Sequence, residues 1–192
     1  MRNRKYDAIL KEKLTKDRYD HTIRVYETAI QLAKKYNAPL EKVSEAALLH
    51  DIAKCEPIEN LEEAIHAYQL PVSLLEFNEE LWHGPVGAKL VAEKFKIDDE
   101  EVFNSIYYHT TGRANMTLVE LIIFVADYME PGRSFPGVEE VRELAQKDIK
   151  QAAQKALQNT LIFLISKSAT IHPDTIAAYN ELTNVITKGR DV

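Results

Sequence analysis

The sequence predicts an all-α fold, a single domain of packed helices. Apolar residues recur at three- and four-residue spacing along segment after segment, the stripe that lets one helix face be buried. No run alternates apolar and polar residues between turn signals, so no strand is expected. With 45% hydrophobic residues and only 6 Gly and 7 Pro in 192, one large core can form without long linkers.

The elements follow in order. Tyr6 to Leu14 predicts a short helix, and Asp17 to Tyr36 a long one with Ile23, Tyr26, Ala29, Ile30 and Ala33 on its stripe. Pro39 suits the first turn of a third helix, which carries His50 and Asp51 and stops before Pro57. Asn60 with Glu63 resembles the capped start of a fourth, reaching Tyr68. Pro71 opens a less regular stretch that ends at Trp82-His83-Gly84-Pro85, after which Val86, Leu90, Val91 and Phe95 mark another helix. Asp98 with Glu101 matches a capping box for a helix carrying Val102, Phe103 and Ile106 to His109. A second box, Thr117 with Glu120, opens the most apolar helix, Leu118 to Met129, with Asp127 embedded in it. Pro131-Gly132 ends that helix, residues 134–137 form a loop, and Val138 to Ala145 is a short helix. Ile149 to Lys167 is expected to bury Ala153, Ala156, Leu157, Leu161, Leu164 and Ile165 on one face, and Pro173 to Lys188 closes the chain.

A net charge of −6 argues against a general nucleic-acid binder but leaves room for a small phosphate ligand in a local basic pocket. The single cysteine, Cys55, excludes an intrachain disulfide framework and a thiolate metal cage; it is expected to be small and partly buried. No stretch approaches a membrane span of about 20 apolar residues, and the first residues lack a signal-peptide core, so the protein reads as cytoplasmic. Apolar helix faces could serve a homodimer as well as a core.

The chemistry centres on Ala46-Ala47-Leu48-Leu49-His50-Asp51-Ile52-Ala53-Lys54. Burying an imidazole and a carboxylate in such a run is costly unless both are paired, and a divalent metal would satisfy both. Alone, the doublet would read as a buried His–Asp hydrogen bond. It is not alone, because His21, His50, Asp51, His83, His109 and Asp127 all interrupt apolar context, in five separate segments. Nitrogen and oxygen donors without sulfur suit Fe, Mn, Zn, Ni or Co and do not select among them. Six ligands exceed the needs of one four-coordinate zinc, whereas two metals about 3.5–4 Å apart would use them all, with Asp51 as the natural bridge. Each has a plainer rival: His21 as a solvated helical residue, His83 as a helix cap, His109 as a cation at a helix end. Membership of the set outweighs these. His66 lies outside the pattern, as a surface residue. Arg18, Lys54 and Arg133 lie close in sequence to His21, His50 and Asp127 and can steady phosphate charge. Arg113 could reach phosphates or remain solvated, and Tyr107, Tyr108 and Tyr128 suit core or pocket wall, one of them stacking on adenine.

The ordered set Arg18-Tyr19-Asp20-His21-Thr22, His50-Asp51-Ile52-Ala53-Lys54, His83-Gly84-Pro85-Val86-Gly87-Ala88, His109-Thr110-Thr111-Gly112, Ala126-Asp127-Tyr128-Met129-Glu130-Pro131-Gly132-Arg133 and Ile171-His172-Pro173 resembles the HD-domain metal-dependent phosphohydrolases. Its finer features resemble the YqeK branch, the symmetrical diadenosine tetraphosphate hydrolases, from about residue 15 to residue 175. The resemblance implies one HD-domain helical bundle over residues 1–192. It implies a di-iron centre, with Mn, Zn or Ni as other occupants, held by His21, His50, Asp51, His83, His109 and Asp127. The implied reaction splits the central phosphoanhydride of diadenosine tetraphosphate into two ADP through a metal-activated water, with catalytic roles for Asp51, Lys54 and His83. Substrate contacts carry over onto Arg18, Tyr19, Asp20, His21, Asp51, Ile52, Ala53, Lys54, His83, His109, Thr110, Asp127, Arg133, Ile171, His172 and Pro173. The same residues would also serve another HD nucleotide phosphohydrolase, such as a nucleotidase or a guanosine alarmone hydrolase, or a non-catalytic metal- and nucleotide-binding sensor.

Overall fold

Ten α-helices and three short 3-10 segments make up the regular structure of residues 4–188, the part of the chain described by the computed structural model. They are α1 (Asp7–Lys13), α2 (Lys16–Tyr36), α3 (Leu40–Leu49), α4 (Ile58–Ala67), α5 (His83–Phe95), α6 (Glu100–Tyr107), α7 (Leu118–Met129), α8 (Val138–Ala145), α9 (Ile149–Ser166) and α10 (Pro173–Lys188). No strand occurs among the described residues, and no helix there is long and apolar enough to cross a membrane.

Helix α7 is the axis of the core. Leu121, Ile122, Ile123, Val125 and Ala126 are buried on several faces, because α2, α3, α6, α8 and α9 surround it. An all-round apolar helix needs such enclosure. Its start is the Thr117 capping box read from the sequence: Glu120 N–H donates to Thr117 Oγ1, and Thr117 N–H to the Glu120 carboxylate. Arg113 adds two bonds of 2.6 and 2.7 Å to the same buried carboxylate while staying 28% exposed, so one edge of its guanidinium is committed to Glu120. A second, smaller apolar cluster lies under α4, where Leu61, Ile65, Leu74 and Trp82 meet Ala53 and Val86.

Several boundaries differ from the sequence reading, each for a local reason. Helix α3 stops at Leu49, and residues 50–55 follow as turns in which Ile52 N–H reaches Leu49 O and Lys54 N–H reaches Asp51 O. His109 likewise follows the end of α6 instead of lying within it. Helix α4 starts directly after Pro57, so Asn60 lies inside it and caps nothing. Asp99, not Asp98, caps α6, accepting from the N–H groups of Glu101 and Val102. Helix α5 begins at His83, three residues earlier than the apolar stripe suggests. In α9, Ala153, Ala156 and Leu157 are buried as expected, but Leu161 and Leu164 are half-buried and Ile165 is 66% exposed. The apolar stripe there outruns the core. Cys55 is exposed, on the turn that leads away from the core.

Candidate metal centre

The six histidines and aspartates singled out in the sequence converge. His21 comes from the first turns of α2, His50 and Asp51 from the turn after α3, and His83 from the first residue of α5. His109 comes from the turn after α6, and Asp127 from the last turn of α7. His21, His50, Asp51, His83 and His109 are each no more than 5% exposed. Asp51 lies at the middle. Its Oδ2 is 3.5 Å from His21 Nε2 and 3.4 Å from His50 Nε2, while its Oδ1 is 3.1 Å from His83 Nε2 and 3.6 Å from His109 Nε2. Asp127 Oδ1 closes the first group, 3.0 Å from His21 Nε2 and 4.0 Å from His50 Nε2.

Local structure aims these rings. His50 Nδ1–H donates to Ala47 O at 2.8 Å and His109 Nδ1–H to Ile106 O at 2.7 Å. Both histidines follow the end of a helix, where carbonyls lose their helical donors, and the ring supplies one. His21 Nδ1–H instead meets Glu130 Oε1 at 3.1 Å. In all three the outer nitrogen is the one that donates, so the tautomer of the neutral ring presents the Nε2 lone pair toward the cluster. Gly84 brings His83 in: a Cβ there would lie 2.9 Å from Tyr107 O, so only glycine lets α5 start against the end of α6. His83 Nε2 and His109 Nε2 are consequently 3.0 Å apart.

The donor set fits a metal. Nε2 of His21 and of His50 are buried without a hydrogen-bond partner among the described residues, which is costly unless an electron-pair acceptor sits between them. His21, His50 and Asp127 could share one ion, and so could His50, Asp51 and His109. Burial opposes ionisation of the aspartates, yet attraction to His50, hydrogen bonds from the histidines and, at Asp127, the Arg133 charge outweigh it: both carboxyls are held well below the usual range, and they in turn raise His50. Burial also drives His83 down to about 4, so it is neutral and able to ligate near neutral pH.

Basic groups ring the cluster. Arg18 donates to Asp51 Oδ2 at 3.0 Å and Arg133 to Asp127 Oδ1 at 2.9 Å. With Lys54, they line a 420 Å³ cavity beside His21. Lys54 is not free there, because it is paired with the carboxylate of Glu80. Thr110 lines two further cavities and has a buried hydroxyl without a partner among the described residues. His172 packs on Phe77, ring centroids 4.6 Å apart, and lines one of those cavities with Thr110.

Four further residues of the expected substrate set make their side-chain contacts within the protein. Ile52 and Ala53 have fully buried side chains in the two apolar clusters. The Tyr19 hydroxyl reaches Asp7 Oδ1 at 3.4 Å, and Asp20 pairs with Lys16 on the surface. Sequence reasoning missed Glu130, which is 2% exposed and takes bonds from His21, from Arg24 at 2.6 Å and from Gly132 N–H. The available signal was Arg24, three residues after His21 and so on the same helix face.

Helices form the regular structure of the described residues, and from five segments they gather imidazoles and carboxylates into a His–Asp cluster that could hold metal. The HD domain family matches residues 18–132. A crystal structure described as a predicted HD superfamily hydrolase involved in NAD metabolism, from Clostridium acetobutylicum, superposes with a TM-score of 0.88 and 42% identity. It covers 93% of this chain and 97% of that one. Two curated relatives carry the name symmetrical bis(5'-nucleosyl)-tetraphosphatase. The Bacillus subtilis protein is 46% identical over 92% of this chain and 95% of its own. The Halalkalibacterium halodurans protein is 47% identical over 91% and 93%. The chain belongs to the HD-domain family and, within it, to the family of these tetraphosphatases.

Proposed function

We propose that this protein hydrolyses diadenosine tetraphosphate symmetrically to two ADP, with two divalent cations in the cluster around Asp51. The observation that carries this reading is the division of Asp51: one oxygen faces His21 and His50, the other His83 and His109. A carboxylate so placed serves two ions, and relatives over nine-tenths of the chain bear the name of this activity. Iron is our choice of occupant, from the family resemblance; the donors accept Mn, Zn or Ni equally.

When bound, such a pair of cations lowers the pKa of water and draws charge from phosphate oxygens. The chain does the rest. Nδ1 contacts to Ala47, Ile106 and Glu130 keep the proton off the inward nitrogens of His50, His109 and His21. Arg133 and Arg18 lie against Asp127 and Asp51, where each can also hold a phosphate oxygen through its planar fork. Lys54 leaves Glu80 to meet the charge that collects on departing ADP. Neutral His83, with Nε2 beside Asp51 Oδ1 and His109 Nε2, completes the second group of donors. The exposed Cys55 thiol suits a reducing, cytoplasmic setting.

The test is product analysis on purified protein whose metal content is measured on the same sample. Diadenosine tetraphosphate should yield ADP alone, from protein holding two transition metals per chain. Asp51→Ala should abolish turnover and lower the metal content. Formation of AMP and ATP, or full activity in Asp51→Ala, would overturn the reading.

A further inference from the structure

We infer that an aromatic cavity beside the cluster holds one purine base of the dinucleotide, an inference that rests on the proposed function. The cavity has a volume of 640 Å³ and lies among Tyr128, Phe135, Pro136, Asn159, Thr160 and Phe163, in the range of about 300–1,000 Å³ usual for small-molecule sites. It shares Tyr128, Phe135 and Thr160 with a 220 Å³ cavity that His109, Asp127 and Arg133 also line. A nucleotide with its phosphates at Arg133 therefore finds aromatic walls next along its length.

The walls have the chemistry of a base site. Tyr128 and Phe135 stand edge to face, centroids 5.0 Å apart at 85°. Phe135 and Phe163 are 37% and 58% exposed, leaving ring surface for a flat partner. Base–aromatic stacking suits any base, so a polar edge is needed to discriminate. Asn159 supplies it. Its Nδ2 donates to Tyr128 Oη at 3.2 Å and to Gly137 O at 3.5 Å. Gly137 has φ +89°, and a Cβ there would sit 2.7 Å from that amide nitrogen. The loop thus requires glycine both for its backbone and to admit Asn159, whose amide oxygen is left to accept from the amino group of a base.

The 220 Å³ cavity also shares Thr110 with a third cavity, walled by Tyr107, Tyr108 and His172. One phosphate-facing space thereby adjoins two aromatic cavities. A substrate with a nucleoside at each end of a phosphate chain requires that arrangement.

The experiment uses the full-length, metal-loaded protein and three variants: Phe163→Ala, Phe135→Ala and Ile165→Ala. Ile165 is 66% exposed on the same helix but outside the cavity lining, so it serves as the control. KM for diadenosine tetraphosphate and Kd for its analogue with a methylene at the central bridge are measured, with sedimentation on each variant. Both constants should rise about tenfold in the two phenylalanine variants, as loss of a base-stacking partner requires, and stay level in Ile165→Ala. An unchanged Kd in both phenylalanine variants would sink the base site. So would equal weakening in Ile165→Ala together with loss of a dimer, which would give this face to a second copy of the chain. If wild-type protein makes no ADP yet binds the analogue through Phe163, the proposed reaction fails and the base site stands. Cleavage to ADP with Kd indifferent to Phe163 is the reverse.

Discussion

At the scale of single residues, Glu130 does more than its place beside Pro131-Gly132 suggests. Burial alone would raise its pKa, but the Arg24 guanidinium, Gly132 N–H and His21 together lower it to about 2. A carboxyl whose folded pKa lies below its ordinary 4.5 adds stability that is full above 4.5 and lost as pH falls through 2. Glu130→Gln should therefore flatten the acid limb of a thermal-stability profile across that window. It should also weaken metal binding about tenfold, measured by chelator competition, because it loosens the outer bond that orients His21. The six converging His and Asp residues were legible because such residues in apolar runs are conspicuous. Glu130 was not, because an acid next to Pro-Gly looks like any loop residue until the fold brings α2 across it.

Among the elements, α7 matters most, since it carries Asp127 and forms the middle of the core. Its Thr117 cap satisfies donors that no helical carbonyl can reach. Thr117→Ala should cost about 1 kcal/mol and lower Tm by roughly 2–4 °C, read by calorimetry. Caps with a matched acid three residues on were legible at Thr117. At Asp98 the neighbouring Asp99 does the work, since adjacent acids offer two registers and only the backbone chooses. The same ambiguity governs α9. Apolar spacing reveals a face, and it cannot reveal where the neighbours end, so Ile165 was expected in the core and lies in solvent.

In the whole molecule, five segments far apart in sequence supply one cluster, so cations there would bind only the folded arrangement. Stripping the metal should lower Tm by about 10 °C, since a ligand at a thousand times its Kd adds about 4 kcal/mol, and re-addition should restore it. A scan unmoved by a strong chelator would show that the helices hold the cluster unaided. Among the described residues Asp51 offers an oxygen to each group of imidazoles, so one carboxylate ties the two halves of the cluster together. Its placement is then common property: a change that swings this one side chain is felt by all four imidazoles around it.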